Sequence, residues 1–408
     1  MGMIRLDNAR IVLPDCVRDG SLLVAGDRIV AVGTVEAGGD AQVIDCGGRL
    51  LAPAIVDLGA FAVDRAAGIA GGIVRVGLMP DAAPVLDDPG IVQRAAASGK
   101  PDLWVHPIAA ATQALAGDKL AELGILAEAG ARAVATGRTR IADAGAMRRV
   151  LAYARDCGLT VIAHAEDEGL ARGAVATAGE TATRLGLPAA PAIAEALAVA
   201  RDLMLAEETG AAIHFRQLST AAAFDLVRAA KARGVAVTCG ITPAHLLLSD
   251  IAMTDFRTFA HLSPPLRDEA DRQAARAALA DGTIDVLCSG HDPRGPEAKR
   301  LPFADAEPGM SGAETLLALS LGVARDLGLG YERVFALLAG APADVLRIDA
   351  GRIAPGMPAD LILVDPQAPW QIVGDRMAAR AGNTPFDGLP IEGRVLRVMK
   401  GGVFVGGR

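Results

Sequence analysis

The chain has few aromatic residues and few cysteines, and it contains no long apolar run. Only 3% of its 408 residues are aromatic, so Ala, Val, Leu and Ile must fill the core. The five cysteines lie far apart and form no Cys-x-x-Cys pair, which excludes a disulfide scaffold and favours reduced thiols. No stretch of about 20 uncharged apolar residues occurs, which excludes a membrane-spanning helix.

The charge distribution excludes further classes of partner. The formal net charge is -8, and no local cluster of Lys and Arg offsets it, so we expect neither nucleic acid nor a membrane surface as a partner. The first residues, MGMIRLDNARIVLPD, contain no basic region followed by an apolar run, so they do not resemble a signal peptide. These features predict a soluble, cytoplasmic protein.

Between residues 53 and 345, short apolar runs alternate with segments of helical periodicity. Eight strand–helix units predict an α/β chain with a (β/α)8 TIM-like barrel, in which functional side chains lie at the C-terminal ends of the strands. The eight strand candidates are IVDLGAF (55–61), GIVRVGLM (72–79), DLWVHPIAA (102–110), ARAVAT (131–136), TVIAHAE (160–166), AAIHFRQLS (211–219), VAVTCGIT (235–242) and IDVLCSG (284–290).

Both ends of the chain show the alternation of apolar and polar residues that is typical of half-buried antiparallel strands. Examples are GSLLVAGDRIVAVG near the start and GRVLRVMKGGVFVGG near the end. Because β segments at opposite ends of a chain can pair, we expect one small composite β-sandwich domain. The predicted domains are therefore a barrel over residues 53–345 and a composite β domain over 1–52 and 346–408.

Six stretches resemble the dihydroorotases of the amidohydrolase superfamily, in order and spacing, over essentially the whole chain. They are HPIAAAT (106–112), AEALAVARDLMLAEETGAAIHFRQLST (194–220), VTCGITPAHLLLSD (237–250), SPPLRDEADRQA (263–274), GHDPRGPEAKRLPFADAEPGMSGAET (290–315) and GMPADLILVDP (356–366). The resemblance implies the same barrel and composite β domain. It also implies a site at the barrel mouth, where such enzymes hold one or two zinc ions and open a cyclic amide with a metal-bound hydroxide.

The same resemblance implies that most of the metal ligands have been replaced. The family's first barrel strand ends in a His-x-His pair, which corresponds here to Gly59 and Phe61, and Phe61 would point into the metal cavity. A later histidine ligand corresponds to Gln217. The aspartate that binds metal and shuttles a proton corresponds to Gly290. None of these four residues is a good zinc ligand.

Only His164 matches a metal ligand of the family. The segment ATGRTR (135–140), where the resemblance implies a bridging carboxylate, contains neither an acid nor a lysine. One ligand of six cannot hold a catalytic ion, so we expect no cofactor and no catalytic residue. The alternative is a rearranged zinc site. Its candidate ligands are His164, Glu166, His291 and Asp292. We favour the interpretation that the two acids lie in loops in contact with water, and that His164 is a hydrogen-bonded histidine inside the barrel.

Positions that contact substrate in the family have also changed. The arginine that holds the substrate carboxylate corresponds to Val63, an asparagine corresponds to Asp81, and a histidine corresponds to Arg294. A remnant of the substrate pocket is expected to be lined by Val63, Asp81, His164, Gln217, Pro264, His291 and Arg294. A cysteine nucleophile at Cys288 would have only His291 as a base, and no oxyanion-hole signature accompanies it.

Three functions follow from this resemblance. The first is an inactive dihydroorotase homologue that serves as the structural or assembly partner of the aspartate transcarbamoylase catalytic chain, in a homo- or hetero-oligomer. The second is an active dihydroorotase or related cyclic amidohydrolase with an unusual zinc site. The third is a sensor whose remnant pocket binds a metabolite of the pyrimidine pathway, with Arg138 and Arg294 supplying the positive charge that Val63 removes.

Overall fold

Two eight-stranded sheets organise the chain in the computed structural model, which describes residues 2–34 and 41–406. Residues 1, 35–40 and 407–408 of the predicted composite domain lie outside the described residues. The strands are β1 (Met3–Val12), β2 (Val17–Ala25), β3 (Arg28–Gly33), β4 (Gln42–Asp45), β5 (Leu50–Pro53), β6 (Ile55–Ala60), β7 (Ile73–Leu78), β8 (Trp104–Ala110), β9 (Ala133–Ala135), β10 (Thr160–Ala163), β11 (Ala176–Thr177), β12 (Ala189–Ala190), β13 (Ile213–Phe215), β14 (Val237–Ile241), β15 (Val286–Leu287), β16 (Leu361–Gln371), β17 (Pro390–Lys400) and β18 (Val403–Val405).

The helices lie mainly between the barrel strands, as expected for strand–helix units. They are α1 (Arg65–Gly71), α2 (Pro89–Ala97), α3 (Leu123–Glu128), α4 (Ala144–Asp156), α5 (Glu168–Ala171), α6 (Glu180–Leu185), α7 (Ile193–Thr209), α8 (Ala221–Ala232), α9 (Pro243–Leu247), α10 (Glu269–Ala280), α11 (Pro296–Lys299), α12 (Leu316–Leu327), α13 (Tyr331–Phe335) and α14 (Ala341–Val345). Short 3-10 turns occur at Gln113–Leu115, Asp250–Met253, Thr258–Ala260, Phe303–Asp305 and Gly374–Arg376, and a π turn at Ala336–Gly340 joins α13 to α14. Within the described ranges, no helix is both long and apolar enough to cross a membrane.

The barrel sheet has the order β6-β7-β8-β9-β10-β13-β14-β15, and its neighbouring strands are parallel. The first and last strands meet where the backbone N–H of Phe61 donates to the carbonyl of His291, at 2.9 Å. All eight predicted strands are present, and the prediction of a (β/α)8 barrel is confirmed. The C-terminal ends of these strands form the mouth of the barrel.

The second sheet has the order β18-β17-β16-β5-β1-β2-β3, with β4 beside β1, and so combines strands from both ends of the chain. It encloses an apolar core of its own, which includes Leu22, Ile29, Leu51 and Met399. The predicted composite β domain is thus confirmed. The Arg75 guanidinium, near the start of β7, lies 2.6 Å from the Asp360 carboxylate just before β16, so this sheet contacts the barrel at the opposite end from the mouth.

A buried carboxylate fixes the segment that follows β13. Glu195 on α7 is completely buried and accepts hydrogen bonds from the backbone N–H and the hydroxyl of both Ser219 and Thr220, at 2.6–3.1 Å. The Arg267 guanidinium, itself buried, completes the network at 3.4 Å from Glu195 and 2.9 Å from the Ser219 hydroxyl. Residues 216–218, which lead from β13 to this network, are therefore held at both ends.

We predict that Glu195→Ala lowers the free energy of unfolding by about 3–5 kcal/mol, because the buried Arg267 loses its nearest carboxylate and two N–H groups lose their acceptor. Urea unfolding followed by circular dichroism measures this loss. Glu207→Ala on the same helix is the control: its ion pair with Arg233 is exposed, so removal should cost less than about 1 kcal/mol. Equal losses in the two variants would contradict the role given to Glu195.

Candidate functional site

A small cavity of about 30 Å³ opens at the barrel mouth. This volume holds roughly two water molecules. Residues from several strand ends and from the loops that follow β14 and β15 line it: Phe61, Arg138, Arg216, Gln217, Thr242, His245, Leu262, Ser263, Gly290, Asp292, Pro308, Gly309 and Met310. The cavity lies where the sequence places the family's metal site, since Phe61, Gln217 and Gly290 all border it.

Arg216, the residue immediately after β13, lies at the centre of this mouth and is only 3% exposed. One guanidinium nitrogen, Nη1, donates to the Gln217 side-chain oxygen at 3.0 Å, and Nη2 lies 3.5 Å from Nδ1 of His164. Nε is buried without a hydrogen-bond partner. Burial lowers the pKa of this guanidinium, which nevertheless stays charged because its ordinary pKa is so high.

The absence of a side chain at Gly59 makes room for Arg216. A Cβ atom at residue 59 would lie 3.2 Å from both Cγ and Cδ of Arg216, and φ at Gly59 is +91°, a left-handed conformation that favours glycine. The position that holds a histidine ligand in the family is therefore occupied here by the methylene groups of an arginine.

The Phe61 ring contacts two guanidinium groups. The Cζ atom of Arg138 lies 3.7 Å from the ring centroid, and that of Arg216 lies 4.8 Å from it. Contacts of this kind stabilise a desolvated cation by about 1–2 kcal/mol. Phe61 thus supplies a face for positive charge in the position of the family's second histidine.

The carboxylate of Asp292 is not in water, and that prediction is wrong. Asp292 is 7% exposed, and its Oδ2 atom accepts hydrogen bonds from Arg138 at 2.7 Å and from Arg294 at 3.0 Å. The chain turns after β15 and brings Asp292 back to the mouth, where the backbone N–H of Asp292 donates to the carbonyl oxygen of Met310. Asp292 lies beyond the end of β15, so the alternation of side chains along a strand does not determine the direction of its carboxylate.

Glu166 is also largely enclosed, with 17% of its side chain exposed. Its carboxylate lies 3.6 Å from Nε2 of His164 and 4.0 Å from Arg267. Burial alone would raise the pKa of Glu166, but the hydrogen bond and charge of His164 and the charge of Arg267 together lower it. Here too, the predicted contact of a loop acid with water is largely replaced by contacts with protein.

The four alternative ligands do not converge on one point. His164 and Glu166 face each other, His291 lies 3.8 Å from Asp64, and Asp292 is bound by two arginines. In residues 2–34 and 41–406, no group of three or more His, Cys, Asp or Glu side chains is arranged to hold a metal ion. A structural zinc site uses four protein ligands and a catalytic one uses three with a water molecule, so the side chains at this mouth do not fit zinc.

Of the seven residues expected to line a remnant pocket, only Gln217 borders the cavity. Val63 packs against the main hydrophobic core instead, and His291 accepts a long hydrogen bond from the backbone of Ala313, at 3.4 Å. Asp81 accepts from the backbone N–H of Arg138 at 2.8 Å, which places its carboxyl group behind the cavity wall. The other three contact residues of the wall: His164 lies against Arg216, the Pro264 carbonyl against His245, and Arg294 against Asp292.

Cys288 lies inside the barrel just after β15 and is 1% exposed. Burial is the main cause that raises the pKa of its thiol to about 12, so the group stays protonated near neutral pH. Its Sγ atom contacts the Ile241 carbonyl at 3.6 Å, not a base. Cys288 therefore lacks the thiolate that a nucleophile requires.

Sequence reasoning missed Arg216. The signal was present, because an arginine at the end of an inner barrel strand, in the run HFRQLST, has to place its charge inside the mouth or among the surrounding helices. Spacing alone does not distinguish these two directions. The contact with Gly59, which lies more than 150 positions earlier in the chain, decides between them.

Comparisons with known proteins agree with this architecture. The profile of the Amidohydrolase family matches residues 53–405. A dihydroorotase-like protein of Pseudomonas aeruginosa is 38% identical over 411 aligned residues, which cover 96% of each chain, and a dihydroorotase of Geotalea daltonii is 38% identical over 387 residues, which cover 91% of each. Among solved structures, an L-hydantoinase (dihydropyrimidinase) from Arthrobacter aurescens has a TM-score of 0.89 at 22% identity and covers 100% of this chain and 96% of its own.

A double-mutant cycle tests whether Arg216 occupies the space at residue 59. We predict that Gly59→Ala costs roughly 1–3 kcal/mol of unfolding free energy from backbone strain, and an additional amount from contact with Arg216. In an Arg216→Ala background the cost of Gly59→Ala should fall by about 0.5 kcal/mol or more.

Gly130→Ala is the matched control, because Gly130 also has a positive φ, +110°, but a Cβ there would meet nothing within 4 Å. Its cost should be the same in both backgrounds. If the cost of Gly59→Ala is also unchanged by Arg216→Ala, the methylene groups of Arg216 do not lie beside residue 59.

Proposed function

Because this chain belongs to the amidohydrolase family and is a dihydroorotase-like member of it, we propose that it has no zinc-dependent ring-opening activity and acts as a structural partner of the aspartate transcarbamoylase catalytic chain. The observation that carries the first part of this proposal is the buried guanidinium of Arg216 in the barrel mouth.

A guanidinium in this position opposes a zinc ion in two ways. It is itself a cation, and two positive charges a few Å apart repel each other strongly in a buried site. It also contacts atoms that would otherwise be free to bind a metal. Nη2 faces Nδ1 of His164, and Nη1 donates to the side-chain oxygen of Gln217. His164 therefore contacts Arg216 through Nδ1 and Glu166 through Nε2, which leaves neither ring nitrogen free to bind a metal.

The remaining carboxylates at the mouth are poor bases for hydrolysis. Asp292 is neutralised by Arg138 and Arg294, and the pKa of Glu166 is lowered. A carboxylate whose pKa is lowered holds a proton weakly, so it gives little help in removing one from water near neutral pH. Glu166 therefore lacks the raised pKa that a general base needs, and Oδ2 of Asp292 is directed at two guanidinium groups.

The assembly role is supported by the resemblance and by an exposed apolar surface. Ile193, Leu197 and Met204 lie along one face of α7 and are 51%, 49% and 71% exposed. Their spacing of four and seven residues is that of a helix face that packs against another chain. We take this α7 face as the candidate partner surface, because a barrel that has given up its chemistry would be retained for its outer surfaces.

The second candidate function is hydrolysis of a cyclic amide, favoured by the 38% identity to a dihydroorotase of Geotalea daltonii. It requires zinc ligands other than the side chains now at the mouth, and Arg216 would have to move. Metal content and activity measured on one sample separate the two candidates.

We predict that protein purified without chelator and dialysed against zinc holds less than about a tenth of an equivalent of the metal, and does not open dihydroorotate, because four donors do not converge there. Gly59→His combined with Phe61→His should not restore activity, since Arg216 blocks residue 59 and Gln217 and Gly290 remain. A dihydroorotase with an intact His-x-His pair is the positive control. Zinc near one equivalent with turnover would support the second candidate and overturn the first.

We predict that the protein co-purifies with the aspartate transcarbamoylase catalytic chain of the same cell, and that Leu197→Glu with Met204→Glu weakens the complex at least tenfold, because two charges would be buried at the contact. Sedimentation velocity at several concentrations measures the affinity. Ile125→Glu is the control, since the exposure of Ile125, 51%, is close to the 49% of Leu197, but Ile125 lies on α3. A complex unaffected by the α7 changes would place the interface elsewhere, and failure of the wild-type chains to associate would refute the partner.

A further inference from the structure

We propose that the barrel mouth is a binding site for a small oxyanion, of the carboxylate or phosphate type, with Arg216 and Arg138 as its cationic groups. This inference rests on the proposed function in one respect, because both require a guanidinium in the place of the metal. It goes beyond that function by giving the altered mouth a ligand.

The first reason is that Arg216 is a buried cation without an ion-pair partner. In the described part of the chain, no carboxylate oxygen lies within 4.0 Å of its nitrogens, and Asp81 and Asp292 act on it only from farther away. Buried charges in proteins are normally paired, because removing a charge from water without a counterion costs several kcal/mol. Its Nε–H is also buried and has no acceptor among the described residues, so the hydrogen-bonding capacity of the guanidinium group is not fully used.

The second reason is that a second cation shares the same aromatic ring. Arg138 and Arg216 both lie within 5 Å of the Phe61 centroid, and the charge of Arg138 is among the causes that lower the pKa of Arg216. The Asp292 carboxylate on this wall is already bound by Arg138 and Arg294, and it acts on Arg216 only from farther away. An anion between the two guanidinium groups would relieve their repulsion and pair the buried charge.

The size of the cavity limits the ligand. A volume of about 30 Å³ admits roughly two water molecules, which is enough for the oxygen atoms of an oxyanion directed at the guanidinium groups but not for a six-membered pyrimidine ring, so the rest of the ligand would extend through the opening of the cavity. Gly290 and Gly309 border the same space. A Cβ at Gly290 would come within 3.0 Å of the Gln217 amide and within 2.9 Å of Thr242, so a side chain at residue 290 does not fit there.

The test is the thermal unfolding midpoint at constant ionic strength, with sodium phosphate and sodium acetate titrated separately against sodium chloride. We expect a saturable rise with at least one of the two anions, at millimolar concentration or below, and no rise for Arg216→Met. Arg233→Met removes the same charge from an exposed ion pair on the barrel wall and should keep the full response. A rise with acetate alone identifies a carboxylate ligand, and a rise with phosphate alone identifies phosphate.

An equal response in wild type and in Arg216→Met, or no saturable response, would overturn the proposal. If Arg216→Met does not fold, crystals of the wild-type protein soaked separately in selenate and in acetate give the answer without a variant: density for either anion beside Arg216 supports the site, and its absence in both crystals refutes it. Zinc is measured in the same preparation. Bound zinc refutes the proposed function together with the anion site, whereas no zinc and no anion response refutes the anion site alone.

Discussion

The barrel mouth depends on the burial of one guanidinium, that of Arg216, and the residues at the former ligand positions are complementary to it. Gly59 leaves the space for its methylene groups, Phe61 offers an aromatic face, and Gln217 accepts a hydrogen bond from Nη1. Gly290 in turn leaves room for the Gln217 amide. Four residues that look unrelated in the sequence therefore form one connected arrangement around the Arg216 side chain.

The same arrangement also connects the ends of several barrel strands to one another. Arg216 follows β13 and contacts His164 after β10 and Phe61 after β6, while Arg138 after β9 reaches both Phe61 and Asp292 after β15. Each contact is modest, about 1–2 kcal/mol for a desolvated cation on an aromatic ring and about 1.5–3 kcal/mol for a charged hydrogen bond. Together they connect five of the eight strands across the mouth.

Sequence periodicity was sufficient for the fold but not for the site. The run TVIAHAE, for example, contains three consecutive apolar residues, VIA, where both faces of the sheet are buried, so the barrel strands could be located from composition and length. The side chains at the mouth depend on contacts between residues far apart in the chain, such as Arg138 with Asp292, which no local pattern records. Asp292 was misjudged for this reason, since a turn beyond a strand end follows neither the strand period nor the helix period.

The position of Arg216 was beyond prediction for a related physical reason. An arginine at the end of an inner strand has a long, flexible side chain, so alternation fixes its Cβ direction but not the place of its charge. What fixes that place is the rigid segment on either side: β13 before it, and the Glu195 network at Ser219 and Thr220 after it. With its backbone held at both ends and Gly59 open in front of it, the side chain extends into the mouth. The same backbone contacts keep the charge there, although no carboxylate among residues 2–34 and 41–406 forms an ion pair with it. An anion bound at the mouth would neutralise this charge.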